Sequence, residues 1–396
     1  MSCTGAKGHA CLICGNASVQ DVPDYGKLHR VTSEAKPFRA GGRLAVCPRC
    51  GGIQKILTEE TLSEIKEVYD RYDLYHLSDG EEQPTFDLSG GFLPRSERVF
   101  SYLDTVMTIP QQGALLDFGC GNGSALARFS ARRPHWDLYG CEMSDRSLHR
   151  LTSIPNFRKL YTCPLDEIER PFDAITLIHS LEHLYTPTGE LRKISRIASP
   201  DGFVVIQVPD CSVNPYDLLI VEHVCHFTAA TLATATLVAG LETIALSDRV
   251  AVKELTWIGR RPLSSVDWAA TEDVSTQVLE KVRRDLGWLG AQAESATRLA
   301  HSATSFGIFG TATSGTWLAG VLGDGFAFFV DEDPTRQGNT HLGRPVLPPA
   351  GIPDGADVFV PLIDESASRV VDRLARSYPR VRFHRPPTLQ DIGSTR

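Results

Sequence analysis

Several features are missing from this 396-residue chain, and each absence removes a class of explanation. No segment runs 18 apolar residues without interruption, and the opening MSCTGAKGHACLICG holds no apolar stretch of signal-peptide length. A membrane span and a secretory leader are therefore not expected, and a cytoplasmic protein is. Basic residues number 40 against 48 acidic ones, a formal charge of -8, which disfavours a general nucleic-acid or anionic-membrane surface. No Lys/Arg cluster lies beside the cysteine pairs, and no repeat recurs at a fixed short period. The ten cysteines are too scattered for a disulfide framework: four form two CxxC pairs and six stand singly.

What is present is an ordinary globular composition, 42% hydrophobic and 22% charged, long enough for two to three domains at about 150 residues each. The first 56 residues carry both CxxC pairs and many turn formers. Residues 57–111 read as a helical lead-in and lid: Thr58 to Tyr72 is helical in pattern, with Thr61 and Glu64 at capping-box spacing, and Arg95 to Met107 is a second helix. The stretch from Asp79 to Pro94 between them reads as loop. From residue 112 to 262, short apolar runs alternate with helical stretches, the mark of βαβ units. The expected strands are Ala114 to Phe118, Asp137 to Cys141, Ala174 to Ile178, Gly202 to Val208, Thr243 to Ser247 and Val250 to Trp257. Residues 263–304 predict linking helices, and 305–396 a second Rossmann-like unit. The fold class is α/β.

Cys11, Cys14, Cys47 and Cys50 form C-x2-C, 32 intervening residues, and C-x2-C. Two thiolates three apart in a tight knuckle can approach one Zn2+, and a second knuckle closes a tetrahedral site. A redox CxxC is the other reading. Four protein ligands leave no open position, so the metal would be structural.

The segment LLDFGCGNG, residues 115–123, runs an apolar strand into Asp117 and then Gly119, Gly121 and Gly123. Such a turn lets the backbone bend towards a ligand, and the following helix points its N–H groups at an anion. Glu142 stands 19 residues after Gly123 at the end of the next expected strand, where a carboxylate can accept ribose hydroxyls. A nicotinamide Rossmann domain is one reading. The D-x-G-x-G-x-G spacing, with FDAITLIHSLEHL at 172–184, resembles class I S-adenosylmethionine (SAM) methyltransferases. That resemblance puts Asp117 and the glycines at the methionine end, Glu142 on the ribose, Met143 beside the adenine and His179 near the sulfonium. His179 and His183 then either position the cofactor or move protons.

PDCSVNPYDLLIVEHVCHFT, residues 209–228, follows the fifth strand and brings Glu222, His223 and His226 among apolar residues. Histidine suits proton transfer near neutral pH, and a neighbouring carboxylate can orient it, although an i, i+1 pair on a helix points to different faces. The order of four cysteines, SAM unit, EH-x-x-(aromatic)-F-(Ser/Thr) segment and C-terminal α/β unit resembles the sugar C-methyltransferases acting on nucleotide-linked keto-deoxysugars. FRAGGRLAVCPRCGGIQ resembles their second knuckle, and GIFGTATSG with FFVDEDPTRQGNTHLGRPVLPP their C-terminal domain. The resemblance implies His223 as general base, Glu222 orienting it and Tyr75 assisting, with SAM and Zn2+ bound and a nucleotide-linked sugar as substrate. This chain departs from the family at His226, usually tyrosine, at Leu77 and Ser78, and at Ala312 to Gly315, where a lysine is missing. An O- or N-methyltransferase on a small metabolite is the alternative; a zinc-containing binding protein or a nucleic-acid methyltransferase fits less well. Gly310, Thr311 and Asp331 are either a second nucleotide site or a degenerate turn walling off the cleft. A monomer or homodimer is expected.

Overall fold

The computed structural model describes residues 9–71, 82, 84–86, 92–261 and 275–388. Its centre is a seven-stranded sheet of β1 (Gly113–Phe118), β2 (Trp136–Cys141), β3 (Phe157–Tyr161), β4 (Phe172–Ile178), β5 (Ala198–Pro209), β6 (Glu242–Ser247) and β7 (Glu254–Arg260), in the order β3-β2-β1-β4-β5-β7-β6. The first five strands pair in parallel, while β7 runs antiparallel to both neighbours. Leu115, Leu116, Ala174, Ile175 and Leu177 are buried, as expected of parallel strands covered on both faces. The chain leaves β1 towards one edge and returns to β4 on its other side, so a crevice opens where their carboxyl ends part. The α/β class read from the sequence is the one observed.

Differences from the sequence reading have local causes. Strand β3 was not expected; its exposed Arg158 and Lys159 hide the apolar signal, as edge strands often do. The helix Glu59–Asp70 is capped by Thr58, whose hydroxyl accepts from the Thr61 amide at 3.1 Å, and not by Thr61. Glu64 is unavailable for a capping box because it turns inward, taking both guanidinium nitrogens of buried Arg30 at 2.7 Å each. Removing one partner of such a buried pair costs about 3–5 kcal/mol. The stretch read as loop contains two short antiparallel strands, Pro84–Phe86 and Phe92–Pro94. Among the described residues, the linking region contributes the helix Ser275–Ser302.

A second, six-stranded sheet is centred on the parallel strands Phe306–Phe309, Phe328–Val330 and Asp357–Phe359. The cysteine-bearing segment lies against both sheets. Cys11, Ile13, Cys47 and Cys50 share a core with Leu177, Leu181 and Phe227, whereas Val22, Tyr25 and Leu44 share one with Trp288, Trp317 and Phe329. Its strands Gln20–Val22, Leu44–Val46 and Ile53–Lys55 form a sheet completed by Cys225–His226. The histidine-bearing segment after β5 is therefore held at one end as a strand of the cysteine module. No helix among the described residues is long and apolar enough to cross a membrane.

Candidate active site

The four thiols of Cys11, Cys14, Cys47 and Cys50 lie within 4.8 Å of one another. The closest pairs run between knuckles, Cys11 to Cys50 and Cys14 to Cys47, at 3.6 Å. Zn–S bonds of about 2.3 Å in a tetrahedron require sulfur–sulfur edges of about 3.8 Å, so the donor set fits a closed four-sulfur metal site. In each knuckle the glycine after the second cysteine donates its N–H to the carbonyl of the first, Gly15 to Cys11 and Gly51 to Cys47, both at 3.0 Å.

A cleft of about 1050 Å³ opens at the carboxyl ends of β1 and β4. Asp117, Gly119, Gly121, Glu142, Met143 and His179 line it. Gly119 has φ +77°, and a Cβ there would sit 2.5 Å from the Ser180 Cβ, so no other residue fits this turn without displacing the loop after β4. Gly123 stands apart, packed behind the loop on Leu151 and Ile154 rather than lining the cleft. The Glu142 carboxylate accepts from the Gly121 amide at 2.9 Å and the Met143 amide at 2.8 Å. A carboxylate offers about four lone-pair sites, so it retains acceptors for a diol. Asp117 accepts from the Thr176 hydroxyl at 2.6 Å, and burial pushes its carboxyl up to about 7 despite that bond. Strand-end carboxylates, glycine turn and cleft together fit an adenosine-bearing cofactor.

His179 has φ +52°, uncommon outside glycine. Its ring lies 3.1 Å from Glu182 and 3.4 Å from Glu254, which also pairs with Arg95 at 2.8 Å. Burial and the Arg95 charge oppose protonation, but the two carboxylates outweigh them and push His179 up to about 9. Glu254 is held down at about 2, burial being overcome by Arg95 and His179.

The same cleft reaches His183, Asp217 and His223 and, at its far side, Thr313 of the second α/β unit. His223 Nδ1 lies 2.7 Å from Asp217 Oδ1, and His226 Nδ1 lies 2.7 Å from Asp217 Oδ2. The His183 ring meets His223 edge-on at 4.7 Å between centroids, and Tyr69 Oη is 3.1 Å from His183 Nδ1. Burial, then the charge of His223, push His183 down to about 4. Burial would raise Asp217, but the two imidazoles hold it well below the ordinary carboxylate range.

The orienting role expected of Glu222 needs correction. Its side chain is fully buried and does not line the cleft; Oε1 accepts from the Ser33 amide at 2.8 Å and the Ser33 hydroxyl at 2.6 Å. Its Oε2 has no hydrogen-bond partner, so Glu222 makes no hydrogen bond to His223; the carboxylate at His223 Nδ1 is that of Asp217, six residues earlier. Asp217, Ser33 and Tyr69 were all missed in the sequence. Asp217 lay within the highlighted segment with no spacing rule to single it out; Ser33 is brought in by tertiary folding alone. Tyr75, Leu77 and Ser78 lie outside the described residues. In the second α/β unit, Thr311 donates its amide and hydroxyl to Asp331 Oδ2 at 3.0 and 2.7 Å, and the Asp333 amide takes Oδ1 at 3.0 Å. The carboxylate that would meet a nucleotide there is occupied by its own chain.

Residues 94–246 match the family described as a methyltransferase domain. Over 116 residues the chain is 33% identical to the ubiquinone biosynthesis O-methyltransferase of Neisseria meningitidis serogroup A, covering 27% of this chain and 48% of that protein. The enzyme of the same name from Pseudomonas fluorescens is 29% identical over 113 residues, 27% of this chain and 49% of its own. The chain thus spans about half the length of the curated relatives it matches. Among solved structures, a SAM-dependent methyltransferase from Clostridium acetobutylicum aligns with a TM-score of 0.36 at 12% identity, over 51% of this chain and 98% of that one. The 1,6-didemethyltoxoflavin-N1-methyltransferase of Burkholderia thailandensis aligns at 0.38 and 15% identity, over 56% and 95%.

Proposed function

We propose that the chain, whose residues 94–246 match a methyltransferase-domain family, transfers the methyl group of SAM to a small molecule, and specifically to the carbon beside the ketone of a nucleotide-activated deoxysugar. The observation that carries this reading is the placing of the His223 imidazole in one cleft with Asp117, Gly119 and Glu142, its Nδ1 engaged by Asp217 and its Nε2 left to act. Asp117, Gly119, Gly121, Glu142, Met143 and His179 would hold S-adenosylmethionine, with Gly123 turning the chain behind them. When bound, it supplies an electrophilic methyl group.

A carbon next to a ketone becomes nucleophilic only after losing a proton, and His223 Nε2 is the acceptor for it. The enolate oxygen that results needs a hydrogen-bond donor, the part we give to Tyr75. Glu222 supports His223 indirectly, by tying the backbone of its segment to Ser33. Thr313 brings the second α/β unit to the rim, where the distal part of an extended acceptor would lie. Four sulfur ligands we assign to one structural Zn2+; metal analysis should find one zinc per chain, and a folded chain free of metal would contradict the assignment.

A hydroxyl could lose its proton to the same imidazole, and the similarity to ubiquinone biosynthesis O-methyltransferases favours an O-methyl reading as the second choice. A panel of nucleotide keto-sugars incubated with the protein and SAM tests the first. Mass spectrometry should show the gain of one methyl on a carbon, and His223→Asn should bind SAM but give no product. A panel left unchanged by the wild type, or full turnover by His223→Asn, would sink the reading.

A further inference from the structure

We propose that Asp217 is the positioning residue of the base, fixing His223 with its proton on Nδ1, and that His226, on the other oxygen of the same carboxylate, holds that carboxylate in place for His223. The inference rests on the base role given to His223 above, but its geometry stands independently. Asp217 is 1% exposed and places one oxygen 2.7 Å from each Nδ1. An ionised carboxylate only accepts, so both imidazoles must donate Nδ1–H, and each neutral ring then carries its lone pair on Nε2. For His223 that atom is the one left for the cleft. For His226 the Nε2 is sealed, with no hydrogen-bond partner and the residue fully buried. His226 therefore has no route to a substrate and acts through Asp217 alone.

The sharing sets a direction. The donation from His226 takes up one oxygen of Asp217 and leaves the other aimed at His223 Nδ1. Burial holds His226 towards its neutral form, so it acts as a hydrogen-bond donor without adding a full second charge. The other groups facing this cluster are His183 and Glu182 on the loop after β4, Glu222 beside His223, and Lys55 on the cysteine-module strand, with Arg30 and Tyr25 beyond it. Lys55 donates to the Ile220 and Val221 carbonyls and is pulled down to about 7 by burial and by Arg30.

The test is a pH titration of ring nitrogens by long-range proton–nitrogen NMR on the full chain labelled in histidine, read without any acceptor. The wild type should show His223 protonated at Nδ1 and bare at Nε2. In Asp217→Asn the side-chain amide can donate, and His223 should switch its proton to Nε2. His226→Leu removes the donor that holds Asp217 Oδ2, and His223 should then populate both tautomers, whereas His226→Asn, which keeps a donor, should preserve the Nδ1–H form. With a turned-over nucleotide keto-sugar, Asp217→Asn should lower kcat about 100-fold or more. A wild-type His223 carrying its proton on Nε2 would overturn the proposal, as would an unchanged Nδ1–H tautomer in Asp217→Asn. Failure of methyl transfer across the acceptor panel would instead remove the base role while the nitrogen spectrum still reports the tautomer.

Discussion

The two α/β units present the same local device and use it differently. Each has a strand, a turn of small residues, a helix, and a carboxylate at the end of the neighbouring strand. In the central sheet Glu142 accepts from two backbone amides on the rim of a large cleft and keeps further lone pairs available. In the second unit Asp331 accepts from four donors, the Thr311 amide at 3.0 Å, its hydroxyl at 2.7 Å and Arg336 at 3.5 Å on one oxygen and the Asp333 amide at 3.0 Å on the other, against two for Glu142. The two turns thus differ less in glycine pattern than in how much of the carboxylate's hydrogen-bonding capacity the chain itself consumes.

That comparison can be broken by mutation. Gly119→Val has the largest expected effect: the added carbon meets Ser180 at 2.5 Å in a left-handed backbone, and calorimetry should show SAM affinity lowered about 100-fold or more. Glu142→Ala removes the strand-end carboxylate and should weaken SAM by about 10- to 100-fold, the worth of a hydrogen bond to a charged group. Asp331→Ala, its counterpart, should leave SAM affinity within about twofold and lower unfolding stability by about 1–3 kcal/mol, because a buried amide and hydroxyl lose their acceptor. Equal loss of SAM binding in Glu142→Ala and Asp331→Ala would abolish the distinction between the turns.

The sequence was most legible where chemistry is local. The cysteine knuckles, the glycine turn after β1 and the carboxylate ending β2 are short patterns whose spacing alone brings side chains together, and the alternation of apolar runs was enough for the α/β class. It was least legible where partners come from afar. Asp217 shares a highlighted segment with His223, yet only the turn Pro215–Leu219 reveals that it faces the imidazole. The pairing of Cys225–His226 with Ile53–Lys55, and the reach of Ser33 to Glu222, join residues separated by most of the central unit. No periodicity records such contacts. Glu222, adjacent to His223 in sequence, seemed its natural partner and hydrogen-bonds Ser33 instead.

The central claim is that His223 removes a proton from carbon inside the cofactor cleft. It is tested most directly by solvent exchange in D2O, with the demethylated cofactor product bound and a nucleotide keto-sugar as acceptor, so that proton removal is seen without methyl transfer. Deuterium should enter at the carbon beside the ketone with the wild type and not with His223→Asn. Undiminished exchange in His223→Asn would contradict the account.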